Sequence, residues 1–255
     1  NPLNQIWSNR PAYINPETFI LDEAVAGKTA YAKQAEARDG LHTADCRLCL
    51  ITAPDCVNWL ANIRGRDLRN TPFHLCFGLL QDDGELVFIG SNQAQEVGYK
   101  TLDWEELPDY LTSFQGEKIA CDPASLPAAM RDVLTDAGLE IFLRPEPLLA
   151  RKAIKNDTEI AGFREAHLRD GLALCQFWYW LEEEAPNKGV SEAELAEKLT
   201  ELRRTNDGYI CDSFDTIAGF RGNGAVVHYR AIKGEDKQLD GDGVLLVDSG
   251  AHYQM

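Results

Sequence analysis

Two prolines one residue apart, Pro145 and Pro147, set the strongest limit on how this chain can fold. Proline has no backbone N–H and clashes with the preceding helical turn, so this segment can neither continue a helix nor lie inside a central strand. At 255 residues the chain is long enough for one large domain or two ordinary ones. We therefore predict a domain boundary near residue 150, with one unit at 1–150 and a second at 151–255.

Strand-like and helix-like segments alternate in the first unit. Short apolar runs predict strands at 48–52, 75–80 and 86–89, and helical periodicity predicts helices at 56–63 and 126–137. This alternation predicts an α/β or α+β fold.

The second unit is predicted to contain two helices that lead into a sheet. Asn156 with Glu159, and Ser191 with Glu194, have the spacing of capping boxes at helix starts. Apolar side chains recur on one face of each helix. They are Ile160, Phe163, Leu174, Phe177 and Leu181 in the first helix, and Leu195, Leu199 and Leu202 in the second. Strands are predicted at 225–230 and 244–247.

The last predicted strand runs directly into an aspartate. Residues 244–247 are four consecutive apolar residues, which is typical of a strand buried on both faces, and Asp248 follows them. A buried carboxylate without hydrogen bonds, a cation or a metal costs several kcal/mol or stays protonated. Asp248 is therefore predicted to have a partner.

Composition excludes several classes of function. A formal charge of −16 argues against binding to nucleic-acid backbones, and no apolar run reaches the roughly 18 residues of a membrane span. Most of the seven cysteines lie in apolar stretches, as expected for reduced core residues of a cytoplasmic protein.

Three short motifs are predicted to carry no chemistry. Cys46 and Cys49 form a Cys-x-x-Cys without a second pair at zinc-finger spacing. Residues 240–243 resemble a calcium loop, but an apolar residue occupies the third ligand position, so we predict a turn. The acidic run 182–184 is predicted to be a solvated helix end.

Eight short motifs are spread along nearly the whole chain. They are WLANIRG at 59–65, TPF at 71–73, KNDTEI at 155–160, REAH at 164–167, RDG at 169–171, SFDTIAG at 213–219, NGAVVHY at 223–229 and VDSGA at 247–251. In these motifs and their order the chain resembles the pita-bread metallopeptidases, and among them most closely the Xaa-Pro aminopeptidases. The implied fold is a middle creatinase-amino-terminal-like α/β domain followed by the first half of a pita-bread catalytic domain.

The resemblance also implies an active site. It makes Asp248 the first ligand of two divalent ions, usually manganese, which hold a bridging hydroxide that acts as the nucleophile. The resemblance implies that His228 is a catalytic residue that contacts the scissile peptide and is not itself a metal ligand. The implied reaction removes the amino-terminal residue from a peptide whose second residue is proline. A homodimer is a further expectation.

Three other functions stay open: a prolidase, a creatinase-like hydrolase without metals, and a non-catalytic pita-bread module that binds peptides or histones.

The second Asp, the His and the two Glu ligands of the family are expected beyond Met255. The chain is therefore expected to be a fragment that is inactive alone. In this fragment Asp248 is expected to be metal-free, and the end of its strand is expected to be mobile. The opening Asn1, without an initiator Met, is consistent with a cut end.

The remaining candidate residues receive weaker predictions. His167 is expected to be structural, through packing or capping, and His42, His74 and His252 carry no functional signal. Arg221 stands where the family usually has a small residue, and its side chain is expected to narrow or recharge the entrance to the site.

Overall fold

The computed structural model of the chain describes residues 3–10, 17–90, 93–185 and 189–254. The expected cut end at Asn1 and the chain end at Met255 lie outside these residues.

The first unit is built around a mixed six-stranded sheet with helices on both faces. The strands, in chain order, are β1 (Thr18–Ile20), β2 (Leu48–Ile51), β3 (Ile63–Gly65), β4 (Phe77–Gln81), β5 (Leu86–Ile89), β6 (Lys100–Leu102), β7 (Lys118–Cys121) and β8 (Glu140–Leu143). The helices are α1 (Leu3–Ile6), α2 (Glu23–Ala26), α3 (Ala30–Thr43), α4 (Pro54–Ala61), α5 (Leu107–Thr112), α6 (Ala128–Asp136) and α7 (Pro147–Ala153).

The order across the large sheet is β6-β5-β4-β2-β7-β8, while β1 and β3 form a separate antiparallel pair. The pairs β2–β7, β7–β8 and β5–β6 are parallel, and the other two are antiparallel. Strand β2 is buried at every position because both faces of the sheet are covered. Leu48 and Leu50 face the side of α5 and α6, whereas Cys49 and Ile51 face the side of α3, α4 and α7.

The break at the two prolines is visible in the structure. Strand β8 ends at Leu143, and Pro147 is the first residue of the short helix α7, where a missing N–H is tolerated. Helix α7 packs against α3 and α4 of the first unit. The chain leaves helical structure at residues 154–156 before the next helix begins.

The second unit packs two long helices against two small sheets. It contains α8 (Asp157–Glu183), α9 (Glu192–Arg204), β9 (Tyr209–Asp212), β10 (Ile217–Phe220), β11 (Leu245–Asp248) and β12 (Ala251–Tyr253). Strand β10 pairs with β11 and strand β9 with β12, both antiparallel. Both predicted capping boxes are present, at Asn156 with Glu159 and at Ser191 with Glu194.

Two features of the second unit differ from the sequence-based expectation. Residues 225–230 do not form a strand, because a 3₁₀ turn at Arg221–Ala225 continues into further turns. On α8, Ile160 and Phe163 are exposed rather than part of a buried face. With 27 residues this helix is about 40 Å long, so α9 and the small sheets cover only its later half, around Phe177.

Among the helices of the described ranges, none combines the length and the apolar character needed to cross a bilayer.

Candidate active site

Asp248 lies at the end of β11, opposite Ile217 of β10. The prediction that it is buried is wrong, because residues along β11 alternate between partly buried and exposed, and Asp248 is exposed. In the described part of the chain β11 pairs only with β10, and it places Leu245 and Val247 against the α8–α9 core. One face of the strand is therefore open, and water can satisfy the carboxylate.

His228 is exposed and lies in a turn rather than in the predicted apolar strand. Its backbone adopts φ 55°, the left-handed region that costs an L-residue about 1–2 kcal/mol. A residue is held in this region only when the surrounding structure determines it, and such residues concentrate at functional sites.

Close packing of the backbone explains why residues 221–230 turn. A Cβ on Gly219 would lie 2.8 Å from the backbone nitrogen of Gly224, so the 3₁₀ turn folds directly onto β10. The backbone N–H of Val226 then donates to the carbonyl of Asn223 at 3.1 Å, and that of Tyr229 to the carbonyl of Val226 at 3.2 Å. The first bond closes the turn that precedes His228, and the second closes the turn that contains it.

A buried carboxylate lies beneath this turn. Glu192, the first residue of α9, is fully buried and accepts the backbone N–H of Phe220 at 2.6 Å and that of Lys237 at 2.9 Å. It also accepts the Tyr229 hydroxyl at 2.7 Å and the Asn223 side-chain amide at 2.9 Å. A single carboxylate thus joins both ends and the middle of segment 220–237.

These hydrogen bonds set the charge state of the cluster. Burial acts to raise the pKa of Glu192, but the donors from Lys237, Phe220, Tyr229 and Asn223 outweigh it and hold that pKa below its ordinary value. Burial and the bond to the carboxylate raise the pKa of Tyr229 to about 12. The cluster therefore consists of an ionised carboxylate and neutral donors at neutral pH.

A second buried network holds the residues that follow Asp248. Arg203 of α9 is fully buried and donates to both carboxylate oxygens of Asp170, at 2.8 Å and 3.0 Å. It also donates to the hydroxyl of Ser249 at 3.0 Å, while the Tyr253 hydroxyl donates to Asp170 at 3.0 Å. The turn after Asp248 is thereby tied to both long helices.

An ion pair with Asp215 holds the segment after His228 near the end of β11, where Asp248 lies. In the β10–β11 ladder Asp248 lies beside Ile217, two residues after Asp215. Arg230 pairs with Asp215 at 3.0 Å, so the segment beyond His228 returns to this end.

The same aspartate also contacts the first unit. Arg69 pairs with Asp215 at 3.2 Å, and the Asn70 amide donates to it at 3.4 Å. The loop after β3 thus reaches the edge of the candidate site.

Arg221 interacts with the turn at 240–243. Its guanidinium donates to the carbonyls of Asp240 and Asp242, pairs with the Asp240 carboxylate at 3.1 Å, and lies 4.7 Å from the ring of Phe220. Arg221 therefore stabilises the turn at 240–243, in which Gly241 adopts φ 63°. An effect on the entrance to the site stays a prediction.

The other histidines lie in different surroundings. His167 is exposed on α8, with its Nδ1 2.8 Å from the carbonyl of Phe163 in the same helix. His74 is fully buried beside Asp67, and its backbone N–H donates to Asn58. Burial lowers the pKa of His252, which lines a cleft between the two units.

The Cys46–Cys49 pair is buried in the first unit, where burial raises the pKa of both thiols. A raised pKa disfavours the thiolate needed for metal binding or redox chemistry. Across residues 3–10, 17–90, 93–185 and 189–254, no group of three or more His, Cys, Asp or Glu side chains could hold a metal ion.

Glu192 and Arg203 were missed by the sequence reasoning. Arg203 carried a usable signal, because it continues the spacing of the buried Leu195 and Leu199 at i+4 and i+8. A charged residue at such a position indicates a buried ion pair. Glu192 carried none, because an acidic residue in the first turn of a helix usually lies in solvent and favours the helix dipole.

Comparisons with known families cover almost the entire chain. Residues 9–159 match the model described as "Creatinase/Prolidase N-terminal domain", and residues 161–255 match "Metallopeptidase family M24".

The related sequences are named as aminopeptidases. Xaa-Pro aminopeptidase 1 from Dictyostelium discoideum is 32% identical over 256 residues, covering 95% of this chain and 40% of that protein. Aminopeptidase P2 from Arabidopsis thaliana is 27% identical over 292 residues, covering 99% of this chain and 41% of that protein. The chain thus spans less than half the length of these relatives.

Solved structures agree with the sequence comparison. X-prolyl aminopeptidase from Caenorhabditis elegans, described as a cytosolic enzyme with a di-nuclear active site, superposes with a TM-score of 0.87 at 27% identity and covers 100% of this chain and 44% of its own. Xaa-Pro dipeptidase from Bacillus anthracis gives 0.63 at 20% identity, covers 89% of this chain and 62% of its own, and supports the fold alone.

The expected resemblance and the α/β fold class are both confirmed. The chain belongs to the family described as "Creatinase/Prolidase N-terminal domain", and that domain is followed by a segment that matches metallopeptidase family M24.

Proposed function

We propose that this chain contributes to a metal-dependent aminopeptidase that releases the amino-terminal residue from peptides with proline in second position. The observation that carries the proposal is the superposition of the entire chain on the Caenorhabditis elegans X-prolyl aminopeptidase. The division into units at 1–150 and 151–255, a cytoplasmic location and a homodimer belong to the same proposal, and the description of that relative as cytosolic supports the location.

Asp248 is the proposed metal ligand of this chain. Its exposed carboxylate at a strand end is an oxygen donor of the kind that divalent ions such as Mn²⁺ bind. The described residues offer no cluster of three donors, so this chain alone does not fit a closed metal site. We propose that two divalent ions, with manganese as the expected metal, need further ligands from outside these residues.

His228 is the proposed catalytic residue of this chain. Its imidazole is exposed at a turn that is closed by the backbone bond from Tyr229 to Val226 and held by the bond from the Tyr229 hydroxyl to Glu192. A neutral imidazole can hydrogen-bond a scissile peptide and stabilise the oxyanion that forms when the carbonyl is attacked. The divalent ions, when bound, supply Lewis acidity and a nucleophile at neutral pH.

The proposed preference for proline has a chemical basis. The Xaa-Pro bond is a tertiary amide without an N–H, and the pyrrolidine ring fixes φ. An ordinary aminopeptidase that binds the second residue through its N–H therefore lacks a partner there. The loop with Arg69 and Asn70, beside Asp215, places polar groups of the first unit at the edge of the site.

Three arms of one assay separate the proposed activity from its alternatives. The polypeptide that combines this chain with the remaining ligands is incubated with a tripeptide Xaa-Pro-Xaa, a dipeptide Xaa-Pro, or creatine, each once with added Mn²⁺ and once with metals removed by EDTA. Cleavage of the tripeptide supports the proposal, dipeptide cleavage alone indicates a prolidase, and metal-independent turnover of creatine indicates a creatinase. Binding without turnover in any arm indicates a non-catalytic module.

The 255-residue chain alone provides a matched negative control. A single carboxylate cannot hold two divalent ions at useful affinity, since such sites depend on several ligands acting together. We expect no Mn²⁺-dependent turnover by this chain. Appreciable peptide cleavage by the 255-residue chain would contradict the proposal that the metal ions need further ligands from outside the described residues.

A further inference from the structure

Glu192 stands out because a fully buried carboxylate is satisfied entirely by neutral donors from one segment of the chain. Its bonds to Phe220 and Lys237 bring together backbone groups that lie 17 residues apart. Its bonds to Asn223 and Tyr229 reach the interior of the same segment. A residue that only capped α9 would need none of these contacts.

The donors surround His228 along the chain. Tyr229 is its immediate neighbour, and the Tyr229 hydroxyl also accepts a bond from Asn223 at 2.9 Å. The backbone bonds from Val226 to Asn223 and from Tyr229 to Val226 then extend this support through the turn. The exposed His228 makes its left-handed turn between anchored residues.

We propose that Glu192 is a positioning residue, which fixes segment 220–237 and thereby the direction in which the exposed imidazole of His228 points. The catalytic meaning of that direction depends on the proposed function, because it presumes that His228 contacts substrate. The anchoring of segment 220–237 by Glu192 does not depend on the proposed function.

Only a carboxylate suits this position. One oxygen of Glu192 faces the Phe220 N–H, and the other faces the Lys237 N–H together with the Tyr229 hydroxyl. A glutamine in either orientation would point its own N–H₂ group at one of the two backbone donors. Buried donors that lose their acceptor are costly, so the segment should loosen.

The test compares Glu192→Gln with Glu201→Gln in the 255-residue chain. Glu201 lies on the same helix and is exposed, so its substitution removes the same charge without touching segment 220–237. We expect the backbone amides of Phe220 and Lys237 to exchange about tenfold faster or more in Glu192→Gln, while the Leu199 amide within α9 is unchanged.

A spectroscopic signal separates positioning from general destabilisation. The ring resonance of His228, assigned by its loss in His228→Gln, should move or broaden in Glu192→Gln, while the resonance of the exposed His167 should not. An unchanged His228 signal in a folded Glu192→Gln chain, or equal changes at His228 and His167, would overturn the proposal.

Tyr229→Phe decides the matter if Glu192→Gln does not fold. It removes one donor from the cluster, and we expect a smaller change of the His228 signal in the same direction. No change would overturn the proposal.

A final arm uses the polypeptide with the full ligand set, where Glu192→Gln should lower kcat about tenfold with a smaller change in KM. If that polypeptide has no peptidase activity, the proposed function fails while the exchange and resonance results still judge the anchoring.

Discussion

The buried Arg203–Asp170 pair gives the sharpest prediction on stability. Arg203 is fully buried, Asp170 is 21% exposed, and the two form a bidentate pair at 2.8 Å and 3.0 Å. Arg203→Met fills most of the volume but leaves the Tyr253 hydroxyl as the one hydrogen-bond donor to the Asp170 side chain that remains among the described contacts. The substitution thus leaves the Asp170 carboxylate without its cationic partner in a site that is mostly shielded from solvent.

The expected loss follows from this geometry. Removing one partner of a buried ion pair costs about 3–5 kcal/mol, and the partial exposure of Asp170 places the expected value near the lower limit, at about 3 kcal/mol. The lost hydrogen bond to Ser249 acts in the same direction.

Urea denaturation of the 255-residue chain, followed by tryptophan fluorescence, measures this free energy of unfolding. Arg204→Met is the matched control, because Arg204 is the next residue of the same helix and is exposed. The control should change stability by less than about 0.5 kcal/mol. A loss below about 1 kcal/mol in Arg203→Met, or one equal to the control, would refute the reasoning.

Two further predictions concern titratable groups. Burial lowers the pKa of Lys33 from 10.5 to about 8, so between pH 8 and pH 10.5 the unfolded chain binds more protons than the folded chain and stability rises with pH. The urea midpoint should therefore rise over this pH range in the parent chain and not in Lys33→Met. The same dependence of the midpoint on pH in both chains would contradict the prediction. Cys175 is exposed, whereas burial raises the pKa of Cys49 and brings that of Cys56 to about 12, so iodoacetamide at pH 8 should alkylate Cys175 first, as read by mass spectrometry. Equally fast labelling of Cys49 would contradict the described core.

Local sequence signals predicted the elements whose determinants are local. The capping boxes at Asn156 and Ser191 fix helix starts within four residues, and both helices begin there. The apolar run at β2 also predicted a buried strand, because helices cover both faces of the large sheet.

The same apolar signal failed at β11. Four apolar residues predicted burial on both faces, but burial depends on how many layers cover a strand, which no window of sequence contains. Leu246 is 42% exposed on the open face. The neighbouring prediction of a strand at 225–230 failed because Glu192 and Gly219 fold that segment back through contacts outside its own sequence.

The support of the candidate site was the least predictable part. The donors to Glu192 come from 28 to 45 residues further along the chain, and Arg203 reaches Asp170 across 33 residues. His228 and Asp248 were found through motifs, whereas the groups beneath them became visible only in three dimensions. Their roles in catalysis and metal binding stay predictions.

Asp248 is proposed to be a metal ligand of an Xaa-Pro aminopeptidase. The most direct measurement is the Mn²⁺-dependent cleavage of a tripeptide Xaa-Pro-Xaa by the polypeptide with the full ligand set, compared between Asp248→Asn and Asp242→Asn. Asp242 is an exposed aspartate six residues earlier and serves as the control. We predict that Asp248→Asn loses at least about a hundredfold in kcat/KM and that Asp242→Asn keeps the parent rate. Equal rates for both variants would contradict the claim.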